Sequence, residues 1–183
     1  MPTQELRALL SGPPAYGGYI GPMATHLAFT VEAANELIIW VESVFLRIDS
    51  HRERWQKHHE SLQILEVMWS DRIELPENPD HDEYLQQRRG AEDAARTIEG
   101  IVKQDLLARG LRIPAGGIEG GIVDFPSTFE GHWIYLCWQR GEARLTHWHE
   151  VDTGFRGRRE LLDEHSIVMG HDEELPDDSS LDF

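Results

Sequence analysis

The chain has 183 residues, 40% of them hydrophobic, and a formal net charge of −16, which gives it enough apolar content for a core and too little clustered base to track nucleic-acid phosphates. Its single cysteine excludes an internal disulfide framework, no basic and apolar leader opens it, and no apolar run reaches the roughly 18 residues that span a bilayer. The expectation is a cytoplasmic protein with neither nucleic acid nor membrane as partner, and with a basic protein as the better electrostatic match.

Residues 1–28 carry Ser11-Gly12-Pro13-Pro14 and Tyr16-Gly17-Gly18-Tyr19, which break helical and strand patterns alike. They read as an irregular extension, with a short helical stretch at Gln4–Leu10, ahead of a single α+β domain over 29–170. Thr30 suits an N-cap, and Glu32 complements the helix dipole behind it. Ala34, Val41, Ile48, Trp55, Leu62 and Trp69 then recur every seven residues. That spacing predicts one amphipathic helix to about Arg72, about 60 Å long. The stripe is longer than a shorter partner helix covers, so the helices are expected to pair two chains as a coiled-coil homodimer. His58 and His59, adjacent on the helix, point in different directions and read as solvated surface.

Pro76, Asn78, Pro79 and Asp80 stop this helix and suit the cap of the next. A second helical pattern runs from His81 to Ala108 through Tyr84, Ala91, Ile98 and Asp105. Gly90 and Gly100 weaken it by about 1 kcal/mol each but permit close approach of a neighbour. The two helices predict a long antiparallel hairpin over 30–109. Gly110 closes it, and Leu111–Ile113 suits a short strand. The following Gly116-Gly117 and Gly120-Gly121 lack the lysine and the context of a phosphate cradle.

The sheet region spans 111–158. Glu130-Gly131 and Arg140-Gly141 read as two-residue hairpin turns between strands at Ile122–Thr128, His132–Gln139 and Ala143–Val151, giving a small antiparallel sheet of about three to four strands. Under that count Phe129 faces His132, Phe125 and Leu145 face Leu136, and one apolar face collects Val123, Phe125, Ile134, Leu136, Trp138 and Leu145. His132 then opposes His149, with His147 one step along. No cofactor is otherwise predicted, and zinc at these three imidazoles is the single exception. The other face aligns Asp124, Cys137 and Arg144. The carboxylate would raise the thiol's pKa and the guanidinium lower it, which leaves a reactive and an inert Cys137 both open. A further cluster of His149, Asp152, Arg156 and Arg158 surrounds Gly154 and Gly157, and it either locks a turn or holds an anion.

Two functional readings follow. The first is a self-associating or partner-binding module. The second is a metal- or anion-dependent enzyme at the sheet end, with Asp124, Cys137 and His149 as catalytic candidates and Arg144, Asp152, Arg156 and Arg158 as anion-binding candidates. Beyond Arg158 the pattern is ambiguous to Gly170. From Asp172 onward six acids and no base predict a disordered tail within 171–183.

Phe29-Thr30-Val31-Glu32-Ala33-Ala34-Asn35, Gly121-Ile122-Val123-Asp124-Phe125-Pro126, Tyr135-Leu136-Cys137-Trp138, Gly141-Glu142, Trp148-His149 and Gly154-Phe155-Arg156-Gly157-Arg158 together resemble the bacterial and archaeal proteins grouped as domain of unknown function 2203. The resemblance covers about Phe29 to Leu161. It implies a long helical hairpin followed by a small sheet, and it implies no activity. The family pattern has an aromatic where His147 stands and no fixed histidine at His132, which counts against the three-histidine zinc site. It also has an acid where Ala33 stands, so the capping box is incomplete here.

Overall fold

The fold is that of a computed structural model, which describes residues 28–177 and Leu181. The expected irregular start and the last residues of the acidic tail lie outside them. Helix α1 (Val31–Trp69) begins where Thr30 predicts, with the threonine Oγ1 accepting from the Ala33 N–H at 3.1 Å. Helix α2 (His81–Ile101) follows after one turn of 3₁₀ helix. It relaxes through a π turn at Val102–Leu106 and ends at Gly110, whose φ of 78° places it in the left-handed region. The Gly110 N–H donates to the Leu107 carbonyl and the Leu111 N–H to the Leu106 carbonyl. That pair of bonds is a Schellman cap, and it satisfies carbonyls that the helix itself leaves open.

The described residues divide into two compact units, one of Phe45–Val102 and one of the described residues up to Val44 and from Lys103 onward. In the first, Leu62, Leu65, Ile73, Tyr84 and Ala91 form the core, with Trp55, Trp69 and Leu85 packed against it. Asp80 does not cap α2 with its side chain. Its carboxylate accepts instead from the Trp69 indole N–H at 2.7 Å, which ties the end of α1 to the start of α2. His58 is not solvated surface either, since its Nδ1 lies 2.7 Å from Gln87 Oε1 and its ring fills the space beside Gly90. The seven-residue row predicted to pair two chains is spent within one: Ala34, Val41, Ile48 and Leu62 are buried.

The second unit is built on an antiparallel sheet in the order β1 (Ile122–Phe129), β2 (His132–Gln139), β3 (His147–Glu150), β4 (Arg159–Glu160). Glu130 and Gly131, both at positive φ, make the expected two-residue turn. Phe129 therefore opposes His132, and Phe125 opposes Leu136. One face docks on the start of α1. Phe125 meets Phe29 edge-on with centroids 5.6 Å apart, the Phe29 N–H donates to the Pro126 carbonyl, and Asn35 Oδ1 accepts from the Leu145 N–H at 2.8 Å.

The second turn differs from the two-residue expectation. Residues 140–146 connect β2 to β3, because Glu142 folds back on the end of β2. Its N–H donates to the Gln139 carbonyl, its carboxylate accepts from the Gln139 N–H, and its carbonyl accepts from the Trp138 indole. Leu145 is thereby handed to α1 and leaves the strand. Leu136 opposes Trp148 in place of Leu145, a slip of three residues. An odd slip sends each side chain to the other face. His149 therefore lies opposite Tyr135 and not His132, on the same face as Cys137 and Asp124.

After β4 the chain forms a short helix, α3 (Asp163–Val168), and returns to the sheet. Met169 is buried, the Gly170 N–H donates to the Thr128 carbonyl, and the Trp133 indole donates to the Pro176 carbonyl at 3.1 Å. The start of the segment expected to be a free acidic tail is thus bonded to β2.

Candidate polar centre of the sheet

Asp124 on β1 and His149 on β3 reach toward each other across the middle strand, which carries Cys137. One donor atom from each of the three lies within 4.8 Å of the others. All three residues are no more than 1% exposed. Hydrophobic alternation alone would put valine or leucine at such positions, so each polar group there must be answered by a partner.

His149 Nδ1 lies 2.7 Å from the Glu150 carbonyl, which can only accept, so that nitrogen carries the hydrogen. The same carbonyl takes the Thr153 N–H and hydroxyl, so the turn after β3 sets the imidazole's orientation. Nε2 is left facing Asp124 Oδ1 at 3.4 Å, beyond the usual 2.7–3.2 Å range of an N–H···O bond. The other oxygen of Asp124 accepts from Arg112 at 2.9 Å, and the two residues also exchange backbone hydrogen bonds as an isolated bridge. The Arg112 guanidinium rests over the Tyr135 ring. Arg158 donates to the Cys137 carbonyl at 3.0 Å and to both carboxylate oxygens of Glu142 at 2.7 and 2.9 Å.

Burial raises the Cys137 thiol pKa, and the Asp124 carboxylate raises it further, while Arg158 opposes them only in part. Burial and the carboxylate thus outweigh the guanidinium and favour the protonated thiol over the thiolate. His149 Nδ1 is held by the Glu150 carbonyl, which fixes the tautomer and leaves Nε2 turned toward Asp124.

The other candidates are dispersed. His132 is exposed beside the Glu130 carbonyl at the far end of β2. His147 opposes Cys137 in register, but its Nδ1 is taken by the Thr146 hydroxyl at 2.9 Å, with Glu142 at 3.7 Å. The three histidines proposed for zinc are not brought together. Arg144, Asp152 and Arg156 are exposed, and Arg158 pairs with Glu142 and not with the acids next to it in sequence. Two contributors escaped the sequence reading. Arg112 was signalled only by the short strand at Leu111–Ile113, and Glu142 only by its place in the Gly141-Glu142 motif.

These features define an α+β protein with two long helices and a four-stranded antiparallel sheet that encloses an Asp–Cys–His centre braced by two arginines. The chain belongs to the family described as uncharacterized conserved protein (DUF2203), whose sequence profile matches residues 28–161. No curated protein and no solved structure matches it.

Proposed function

We propose that this chain works as a self-associating binding module whose partner surface is carried by α1. The observation that carries the reading is a cluster of large apolar side chains on one turn of that helix: Ile64, Val67 and Met68 are 61%, 84% and 59% exposed. Residues spaced three and four apart are neighbours on a helix surface, so the three form one patch. A second copy of the chain is the occupant that makes such a patch self-complementary about a two-fold axis. The polar centre supports the same reading. Its three groups are sealed from solvent, whereas the competing reading, a metal- or anion-dependent enzyme around His149 and Arg158, asks for groups that meet a substrate. A reducing cytoplasm suits a chain whose one thiol is free and buried.

Light scattering at tens of micromolar tests this. The unmodified chain is expected to exceed the 21.0 kDa of one copy, and Ile64→Lys with Val67→Lys to return it to that mass without loss of helicity. A single-copy mass for the unmodified chain ends the reading. The net charge of −16 makes a basic protein the next occupant to try.

A further inference from the structure

We propose that Asp124, Cys137 and His149 are the protein ligands of one divalent ion of the zinc class, held inside the sheet. Carboxylate oxygen, thiolate sulfur and imidazole nitrogen are together a donor set for a borderline metal and a poor one for magnesium or calcium, which take oxygen ligands. The spacing agrees. Two metal–ligand bonds of about 2.0 Å meeting at a tetrahedral angle hold their outer atoms about 3.3 Å apart. Asp124 Oδ1 and His149 Nε2 are 3.4 Å apart, too long for a good hydrogen bond and right for two ligands of one ion.

The surroundings of each donor agree as well. Metal-bound histidines characteristically give their other N–H to a carbonyl or carboxylate, as His149 Nδ1 does to Glu150. Arg112 fixes the far oxygen of Asp124 and leaves Oδ1 turned inward. Arg158, clamped on Glu142, anchors the backbone of Cys137. On binding, the thiol loses its proton to solvent and the sulfur–metal bond replaces S–H. Aspartate and thiolate together then neutralise the dication. With three protein donors, a fourth ligand such as water completes four-coordination. Because a proton leaves, affinity falls as the pH is lowered.

Cobalt(II) gives a test that needs no variant, because thiolate-to-cobalt charge transfer in the near ultraviolet can come only from Cys137, the one cysteine of the chain. The full chain is unfolded in urea with chelator, freed of metal and refolded with one equivalent of cobalt(II), so that a sealed site cannot exclude the ion. The expected result is the charge-transfer band with the visible intensity of a four-coordinate site, erased by one equivalent of zinc, together with about one zinc per chain in protein purified without chelator. Cys137→Ser is expected to abolish the band, and Arg112→Gln to weaken zinc binding on the order of 10- to 100-fold while circular dichroism stays native. A refolded chain with native circular dichroism and no charge-transfer band overturns the proposal. So does zinc bound equally well by folded Cys137→Ser, which would place the ion elsewhere.

Discussion

Glu142 illustrates how one side chain sets a site it does not enter. By folding back on Gln139 it lengthens the β2–β3 connection, and the same carboxylate receives Arg158, whose other contact is the Cys137 carbonyl. The pair is partly shielded, with Arg158 11% and Glu142 22% exposed. Removing one member of a fully buried pair costs 3–5 kcal/mol, so Glu142→Ala is expected to cost about 2–3 kcal/mol by urea unfolding, and Glu142→Gln less, because it keeps neutral hydrogen-bonding capacity. If Glu142→Ala unfolds at the same urea concentration as the unmodified chain, the fold-back does not hold the loop. The sequence grouped Arg158 with the nearby Asp152, whereas its carboxylate partner is Glu142. Partners along the chain are visible in a sequence, and partners across a sheet are visible only once the register is known.

At the scale of elements, one close approach in the hairpin is between His58 on α1 and Gly90 on α2. A β-carbon added at Gly90 would lie 2.5 Å from the imidazole. Alanine gains about 1 kcal/mol over glycine in a helix, and overpacking costs 1–3 kcal/mol. Gly90→Ala is therefore expected to be net destabilising in the unmodified chain, and stabilising by about 1 kcal/mol once His58 is also alanine. Thermal unfolding of the four chains of this cycle decides it, and simple additivity would show that the two residues do not touch. The heptad row identified both helices and their inward sides, because burial imposes the helical period on apolar residues. It could not say which surface would cover the row. That surface proved to lie in the same chain, which is why the self-association test uses Ile64 and Val67 and leaves the buried Val41 and Ile48 alone.

For the molecule as a whole, the last described segment divides by its bonds. A cut after Asp177 removes a short polar and acidic end that by composition buries too little apolar surface to offset its chain entropy, and it should leave the urea midpoint unchanged. A cut after His171 also takes away the Pro176 carbonyl that accepts from the buried Trp133 indole. That orphaned donor should cost about 1–3 kcal/mol, and equal midpoints for the two truncations would show the contact to be idle. Composition alone predicted disorder from Asp172 because acids dominate the segment, and it could not register that the first few residues have a partner waiting on β2. The helix starts and stops, the Glu130-Gly131 hairpin, the α+β class and the family were determined by the sequence itself, since caps, turn residues and hydrophobic periods act over a few neighbouring positions. The polar centre was decided only by tertiary structure. Its members were all named beforehand, but their convergence depends on a slip of three residues between β2 and β3. That slip is imposed by a glutamate folding back and by α1 taking the Leu145 N–H, and an odd slip exchanges the faces of a strand while leaving its local pattern unchanged.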